Sequence, residues 1–344
     1  MATDKSTVRL EAVLSELHRP HAPSARCMAA LVLAALLIVP AANSANHSQG
    51  ILDAVASAPD DITVGELRAR CAEFGADSKD SRASDTRRAL EAATLGESFL
   101  LTAHRPTYIL PITYNSSPNQ APFLDAGQGE LLEEVEAKFQ ISFKLPLWRN
   151  PFGIDDSDLY FAFTSQSYWQ VYNTDYSSPF RESNYEPEVF LRHYGGPSIL
   201  GLDVIGWDVG LNHQSNGRAE PLSRSWNRAI AQVGLQVTDD IVLGMRAWYR
   251  LPEDADDDNN PNEYRYLGYG DLRAVWTPGR STWTLMVRPG TEGTGVEATW
   301  SYPLTRILRA YVQYYDGYGE SLLDYDHHVR RIGVGVALSD YLQR

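Results

Sequence analysis

From about Thr102 onward this chain is written in period two. Phe139, Ile141, Phe143, Leu145 and Leu147 alternate with Lys138, Gln140, Ser142 and Lys144. Phe161, Phe163, Trp169 and Val171 hold one parity against Thr164, Gln166 and Gln170. Ile241, Leu243, Met245, Ala247 and Tyr249 oppose Arg246 and Arg250, and Trp283, Leu285 and Val287 oppose Thr284 and Arg288. Ile332, Val334, Val336 and Leu338 repeat the rule near the end. Successive strand side chains point to opposite faces, so each segment carries one apolar and one polar face.

Two architectures accept such segments. A soluble sandwich packs its apolar faces together, whereas a membrane barrel turns them to lipid and lines its interior with the polar ones. Alternation alone leaves both open. The length, an export-like N-terminus and aromatics near strand ends (Trp148, Trp169, Trp248, Trp276, Trp300) favour the barrel. Segments fall near 103–115, 132–148, 157–172, 185–194, 202–215, 224–237, 241–251, 264–276, 282–289, 294–302, 307–316 and 330–339. That is twelve, an even number as bacterial barrels require. Connections 238–240, 277–281 and 303–306 are short, and 116–131, 173–184, 252–263 and 317–329 are long and polar. Short periplasmic turns and long outer loops are the expected asymmetry. The expected fold is therefore all-β: a twelve-stranded antiparallel transmembrane β-barrel over 102–344 in the bacterial outer membrane, with both termini periplasmic.

Composition misleads until the two faces are separated. A mean hydropathy of −0.33 reads as soluble, yet it averages a lipid-facing row with a charged lumen. It does exclude a helical membrane protein, which needs runs of about 20 apolar residues; only 27–42 comes near that. A net charge of −14 gives nucleic acid no footing. Two cysteines, Cys27 and Cys71, make no disulfide framework.

Residues 28–42 read MAALVLAALLIVPAA, after Arg26 and before small residues up to Ala45. A basic residue, an apolar core and a small-residue end describe a signal peptide over 1–45, here with a long n-region. The alternative, a transmembrane anchor, is disfavoured by the short core and the lack of a basic flank after it. Residues 1–45 hold four basic and three acidic residues, so without them the charge goes from −14 to −15. Residues 46–101 read as a periplasmic extension, partly helical or disordered, with helical periodicity in ELRARCAEFGA. The acidic run PEDADDDNNPNE (252–263) lacks the spacing of an EF-hand loop. It reads as a solvated outer loop or as a divalent-ion site.

One stretch carries chemistry. Ile205, Trp207, Val209, Leu211, His213 and Ser215 share one face of segment 202–215, opposite Gly206, Asp208, Gly210, Asn212 and Gln214. His213 and Ser215 thus continue a lipid-facing row. On the next segment Asn227, Ala229, Ala231, Val233 and Leu235 form the matching row, and a hairpin closed over 216–223 sets Asn227 across from His213. Nucleophilic catalysis needs a base within reach of a hydroxyl and a third group orienting that base. An Asn orients an imidazole without placing an ionised carboxylate beside hydrocarbon. The competing reading is an interfacial His and Ser that only hydrogen-bond lipid headgroups.

The strings YWQVYNTDYSSPFRESNYEPEVFL (168–191), NHQSNGRAEPLSRSWNR (212–228) and GYGESLLDYDHHVRRIGVGVAL (317–338) closely resemble the Gram-negative outer-membrane phospholipase A family. The resemblance runs from about Tyr108 to Leu338. It implies a twelve-stranded barrel and a calcium-dependent acyl hydrolase acting on membrane phospholipids and lysophospholipids. It puts the nucleophile on Ser215, the general base on His213 and its orienting amide on Asn227. The family's calcium ligands fall on the Arg218 carbonyl, the Ser223 hydroxyl and, from a partner subunit, the Ser177 carbonyl; Asp258 is a candidate for a second, monomer-type calcium site. The family is switched by homodimerisation, and its interface glutamine falls on Ser165, a departure from the pattern. The rival is an inactive or passive outer-membrane barrel, a channel or structural protein. Lys138, Arg192, Asp208, Arg246, Arg273, Arg288 and Glu297 are expected to fill its lumen.

Overall fold

A computed structural model describes residues 82–94, 101–127, 132–254, 256 and 258–342. The signal segment, residues 46–81 and 95–100, and the periodicity in ELRARCAEFGA lie outside these. Among the described residues twelve strands follow one another: β1 (Thr107–Asn115), β2 (Val135–Arg149), β3 (Ser157–Trp169), β4 (Phe180–Tyr194), β5 (Asp203–Ser215) and β6 (Ser225–Thr238). Then come β7 (Ile241–Arg250), β8 (Gly270–Trp276), β9 (Thr282–Pro289), β10 (Thr294–Pro303), β11 (Arg309–Gly317) and β12 (Val329–Ser339). Each pairs antiparallel with the next, and β12 returns to β1, so the sheet closes without an edge. Thr102–Ala103 pairs with β2 at Lys144 and Phe143 just ahead of β1, so the first strand is interrupted at 104–106.

Closure explains the alternation. Outward residues are apolar and bare: Leu211 is 60% exposed and Ile141 52%, with Ile332, Val334, Leu285 and Leu272 alongside. Inward residues are polar and covered, with Lys138 and Lys144 fully buried. A soluble protein has the reverse arrangement; an apolar belt round a polar interior is what lipid selects. Exposed aromatics ring both rims, Trp148, Trp276, Trp283 and Tyr302 at the end carrying the termini and Tyr114, Tyr176, Tyr185 and Tyr249 at the other. Trp248 is an exception: it turns inward, is buried, and meets Trp226 edge-on at 6.2 Å.

The charged lumen is cross-braced. Lys138 reaches Glu320 and Gln313 at 2.8 Å, Arg192 grips Asp208 at 2.6 Å, and Arg246 grips Asp271 at 2.7 Å. Gln313 donates to Glu297, Arg273 lies over the Tyr341 ring, and Arg288 donates to the Gly319 carbonyl. All seven charges expected inside are inside. They are tied to partners rather than lining an open pore.

The terminal rim is closed by helix α1 (Ala83–Thr94). Arg87 donates to the carbonyls of Ala103, His104, Asp340 and Tyr341, so one guanidinium ties the helix to both ends of the barrel chain. Glu91 meets Lys144 at 2.9 Å. A buried ammonium without a counter-charge is costly, which gives this helix a fixed seat.

Two boundaries depart furthest from the sequence reading, at β4 and at β8, while the connection 290–293 falls where the segments left it. β4 begins at Phe180 rather than 185, because 170–179 folds as a tight turn. The connection 290–293, on the rim of long loops, is short, closed by the Gly290 N–H on the Gly293 carbonyl at 2.7 Å. Residues 264–269 were expected as strand. Instead α3 (Glu263–Leu267) forms there, after the short α2 (Ala121–Asp125) of the first long loop. Gly268, at φ +61°, breaks the extended run, and Leu267 drops into the mouth of the barrel against Trp226, Ile230 and Trp248.

α3 brings a titratable group with it. Glu263 is fully buried and accepts from Asn260 at 2.5 Å; burial pushes its carboxyl up to about 8, although Arg250, Arg228 and Arg288 oppose the shift. The unfolded chain loses this proton near the ordinary glutamate value of 4.5. Between those values the folded chain holds the proton more tightly, so stability falls as pH rises from about 4.5 to about 8. Thermal unfolding of Glu263→Gln across pH 5–8 should show a flatter slope than wild type. Equal slopes would contradict this assignment.

Candidate active site

The hairpin of β5 and β6 pairs His213 directly with Asn227 and Ser215 with Ser225. Across the strands, the imidazole Nδ1 and the Asn227 Oδ1 are 2.9 Å apart. Ser215 stands two residues further along the same outward face, at the level where loop 216–224 leaves the strand; it makes no hydrogen bond to His213 among the described residues. All three are half-buried, at the upper edge of the apolar belt, above Leu211.

The register is pinned from inside. Asn212 and Arg228, the chain neighbours of His213 and Asn227, form a cross-strand pair that faces the lumen. Arg228 Nε donates to Asn212 Oδ1 at 2.8 Å, and both donate to Glu186 Oε1 at 2.8 Å. Arg105 closes the group from the other side, at 2.5 and 3.0 Å from the same carboxylate. One step on, the Trp226 indole donates to Gln214 at 2.8 Å, with the Arg228 guanidinium 3.9 Å from the ring. A one-residue slip would invert every side chain, so this luminal network holds the outward pair opposite one another.

Two loops meet beside Ser215. In 216–224 the Asn216 Oδ1 accepts from the backbone of both Arg218 and Arg224, at 3.2 and 3.0 Å, folding the loop on itself. The Arg218 guanidinium donates to the Phe180 and Arg181 carbonyls at 2.8 and 2.6 Å, joining this loop to the start of β4. The turn before β4 holds Ser177 and Ser178 in the left-handed region, at φ +59° and +51°, and is tied down by the Trp169 indole on the Ser178 carbonyl at 2.9 Å. The Ser223 hydroxyl accepts from Asn259 at 3.0 Å.

Arg218 and Ser223 are thus brought together in one loop next to Ser215, and the turn of Ser177 adjoins it. Asp258 is drawn elsewhere: its Oδ1 is 2.6 Å from Arg250 and accepts the Asn260 N–H at 3.2 Å. Among the described residues no three His, Cys, Asp or Glu side chains are grouped to hold a metal. Backbone carbonyls and a hydroxyl are hard neutral oxygens, a set that suits calcium and not a softer transition metal.

Two neighbours escaped the sequence reading. Tyr185 pairs with Ser215 across β4 and β5 and is exposed beside it; its outward parity was visible, its register was not. Glu253 accepts from Asn227 Nδ2 at 2.9 Å. It lies inside an acidic run where nothing distinguishes it from its neighbours.

Residues 85–338 match the family model for phospholipase A1. The chain is 37% identical to the phospholipase A1 of Klebsiella pneumoniae, over 70% of this chain and 83% of that one. It is 36% identical to that of Escherichia coli K12, over 70% and 82%. Among solved structures, the outer membrane phospholipase A of Escherichia coli superposes with a TM-score of 0.68 at 35% identity, covering 75% of this chain and 98% of that one. The outer membrane phospholipase of Salmonella typhi, solved as a dimer with bound calcium, gives 0.67 at 36% identity, over 72% and 96%. A variant of the Escherichia coli protein with an active-site asparagine changed to alanine gives 0.67 at 35%, over 71% and 94%. With its barrel, its outward Ser, His and Asn and these matches in agreement, this chain belongs to the phospholipase A1 family.

Proposed function

We propose that this phospholipase hydrolyses the acyl esters of phospholipids and lysophospholipids with Ser215 as nucleophile, His213 as general base and Asn227 as the amide that orients it. The observation that carries this reading is the 2.9 Å contact of His213 Nδ1 with Asn227 Oδ1 on the lipid-facing wall. With Nδ1–H donating to Asn227, the imidazole keeps Nε2 as the acceptor for the Ser215 proton. Ser215 Oγ then attacks the ester carbonyl, and His213 hands the proton to the leaving glycerol oxygen. A water activated by the same imidazole releases the fatty acid. The outward placement lets a lipid reach the serine laterally, with its acyl chain along Leu211, Val189 and Tyr185.

Calcium would be held by the Arg218 carbonyl and the Ser223 hydroxyl of one chain with the Ser177 carbonyl of a second copy, and when bound it would supply positive charge for the oxyanion. A site completed by a second copy makes activity depend on a homodimer, with Ser165 and Ser167 as polar points on the otherwise apolar face of β3. The short turns and both termini then face the periplasm, and the long loops with the site face outward. The Arg250 pairing of Asp258 argues against its serving calcium unless that pair opens.

Refolded wild-type protein on phospholipid–detergent micelles tests the reading. Hydrolysis should appear with millimolar calcium, fall about 100-fold in chelator and return on adding calcium back. Crosslinked dimer should rise with calcium. Undiminished hydrolysis in chelator would remove calcium from the mechanism, and no hydrolysis under any condition would favour the inactive barrel.

A further inference from the structure

A catalytic asparagine has a weakness: its amide presents an acceptor and a donor of nearly equal shape. Turned one way it accepts the His213 Nδ1–H, and turned the other it offers N–H to that nitrogen and selects the wrong tautomer. Something must choose. In this chain Asn227 Nδ2 donates to Glu253 Oε1 at 2.9 Å while Oδ1 meets His213 at 2.9 Å. An ionised carboxylate only accepts. It therefore holds the NH2 toward itself, the carbonyl toward the imidazole, and the proton on Nδ1.

Glu253 is placed for this by its own loop. The Leu251 N–H donates to the Asn227 carbonyl at 2.8 Å, carrying the chain past Asn227 just before Glu253. Arg250, register-paired with Arg228, gathers the rest: it donates to the Asn260 carbonyl at 2.9 Å and Asp258 at 2.6 Å, and lies 3.6 Å from Glu253 Oε2. Glu253 is thus a partly covered carboxylate, 16% exposed, with a guanidinium on one oxygen and the amide on the other. This also resolves why the triad carries an amide. The negative charge sits one residue further back, at the rim, where Arg250 balances it and hydrocarbon does not reach.

We infer that Glu253 is a positioning residue that fixes the orientation of Asn227, extending Ser215–His213–Asn227 to a four-residue relay. The inference rests on the triad proposed above. Its role needs Asn227, so the two residues must be energetically coupled.

The experiment compares Glu253→Ala, Glu253→Gln, Asn227→Ala and Asn227→Ala/Glu253→Ala with wild type and Ser215→Ala, on phospholipid micelles at saturating calcium. Glu253→Ala should lower kcat about 10-fold with KM within about twofold, comparable to losing an outer partner of a catalytic ligand. Glu253→Gln keeps an acceptor and should recover kcat to within about threefold of wild type. In the Asn227→Ala background, Glu253→Ala should cost nothing further. The inference is overturned by an unchanged kcat in Glu253→Ala, by a loss confined to KM, by no recovery in Glu253→Gln, or by the same loss with Asn227 absent. If Ser215→Ala retains hydrolysis, the triad itself fails and Glu253 with it. If Ser215→Ala is dead and Glu253→Ala uncoupled, only the fourth member falls.

Discussion

Ser215→Ala should reduce phospholipid hydrolysis by on the order of 10⁴-fold or more while the barrel keeps its heat-modifiable migration on gels. The size follows from the way a nucleophile and its base act as a unit: removing either costs nearly as much as removing both, and only binding and oxyanion stabilisation remain. The fold should be indifferent. Ser215 is outward, at the end of β5, and none of the luminal ties from Glu186, Asn212 or Arg228 touches it. Hydrolysis at wild-type rate by a well-folded Ser215→Ala protein would refute the nucleophile assignment outright. Hydrolysis lost together with heat-modifiability would show that the strand end carries structure that the register does not reveal.

The second large effect lies inside the barrel. Glu186→Ala should destabilise the fold by about 3–5 kcal/mol, a factor of about 10² to 10⁴ in the folding equilibrium, because it takes from Arg228 its paired carboxylate and from Arg105 one of two, the other being Glu188 at 2.9 Å. Arg105 lies 2.5 Å and Arg228 2.8 Å from that carboxylate, and Asn212 donates to it as well. Urea unfolding in detergent micelles measures the loss. Activity should drop in step with the folded fraction, and further if the β5–β6 register loosens, since Asn212 and Arg228 are the chain neighbours of His213 and Asn227. A Glu186→Ala protein with an unchanged midpoint would mean that water and Glu188, 2.9 Å from Arg105, supply the missing charge. The luminal network would then be filler rather than a lock.

The barrel was readable because lipid inverts the usual burial rule without altering its period. Phe143 and Phe163, chosen by parity, end up paired across β2 and β3 on the outer wall. The His213–Asn227 pairing was readable for the same reason: one short hairpin with fixed parity leaves only one partner for His213. What escaped is what the hairpin does not fix. Trp248 has the composition of a rim aromatic, and only the fold shows that Trp226 and Leu267 draw it inward. α3 looked like strand because its aromatic run satisfies either periodicity until Gly268 breaks it. Glu253 and Arg105 act across gaps of 26 and 81 residues, set by loop geometry and by strand order round the barrel, neither of which a local pattern carries.

The inward and outward faces therefore do separate jobs on the same two strands. The luminal side uses its charges to hold register, and the upper lipid side presents Ser215, His213 and Asn227, where a carboxylate would be costly. The most direct test of this account is covalent. A long-chain sulfonyl fluoride, incubated with the refolded protein and calcium, should sulfonylate one residue per chain in step with loss of hydrolysis. Peptide mass mapping should place the adduct on Ser215, with labelling lost in His213→Ala. Inactivation with the adduct on another residue, or without any adduct on Ser215, would contradict it.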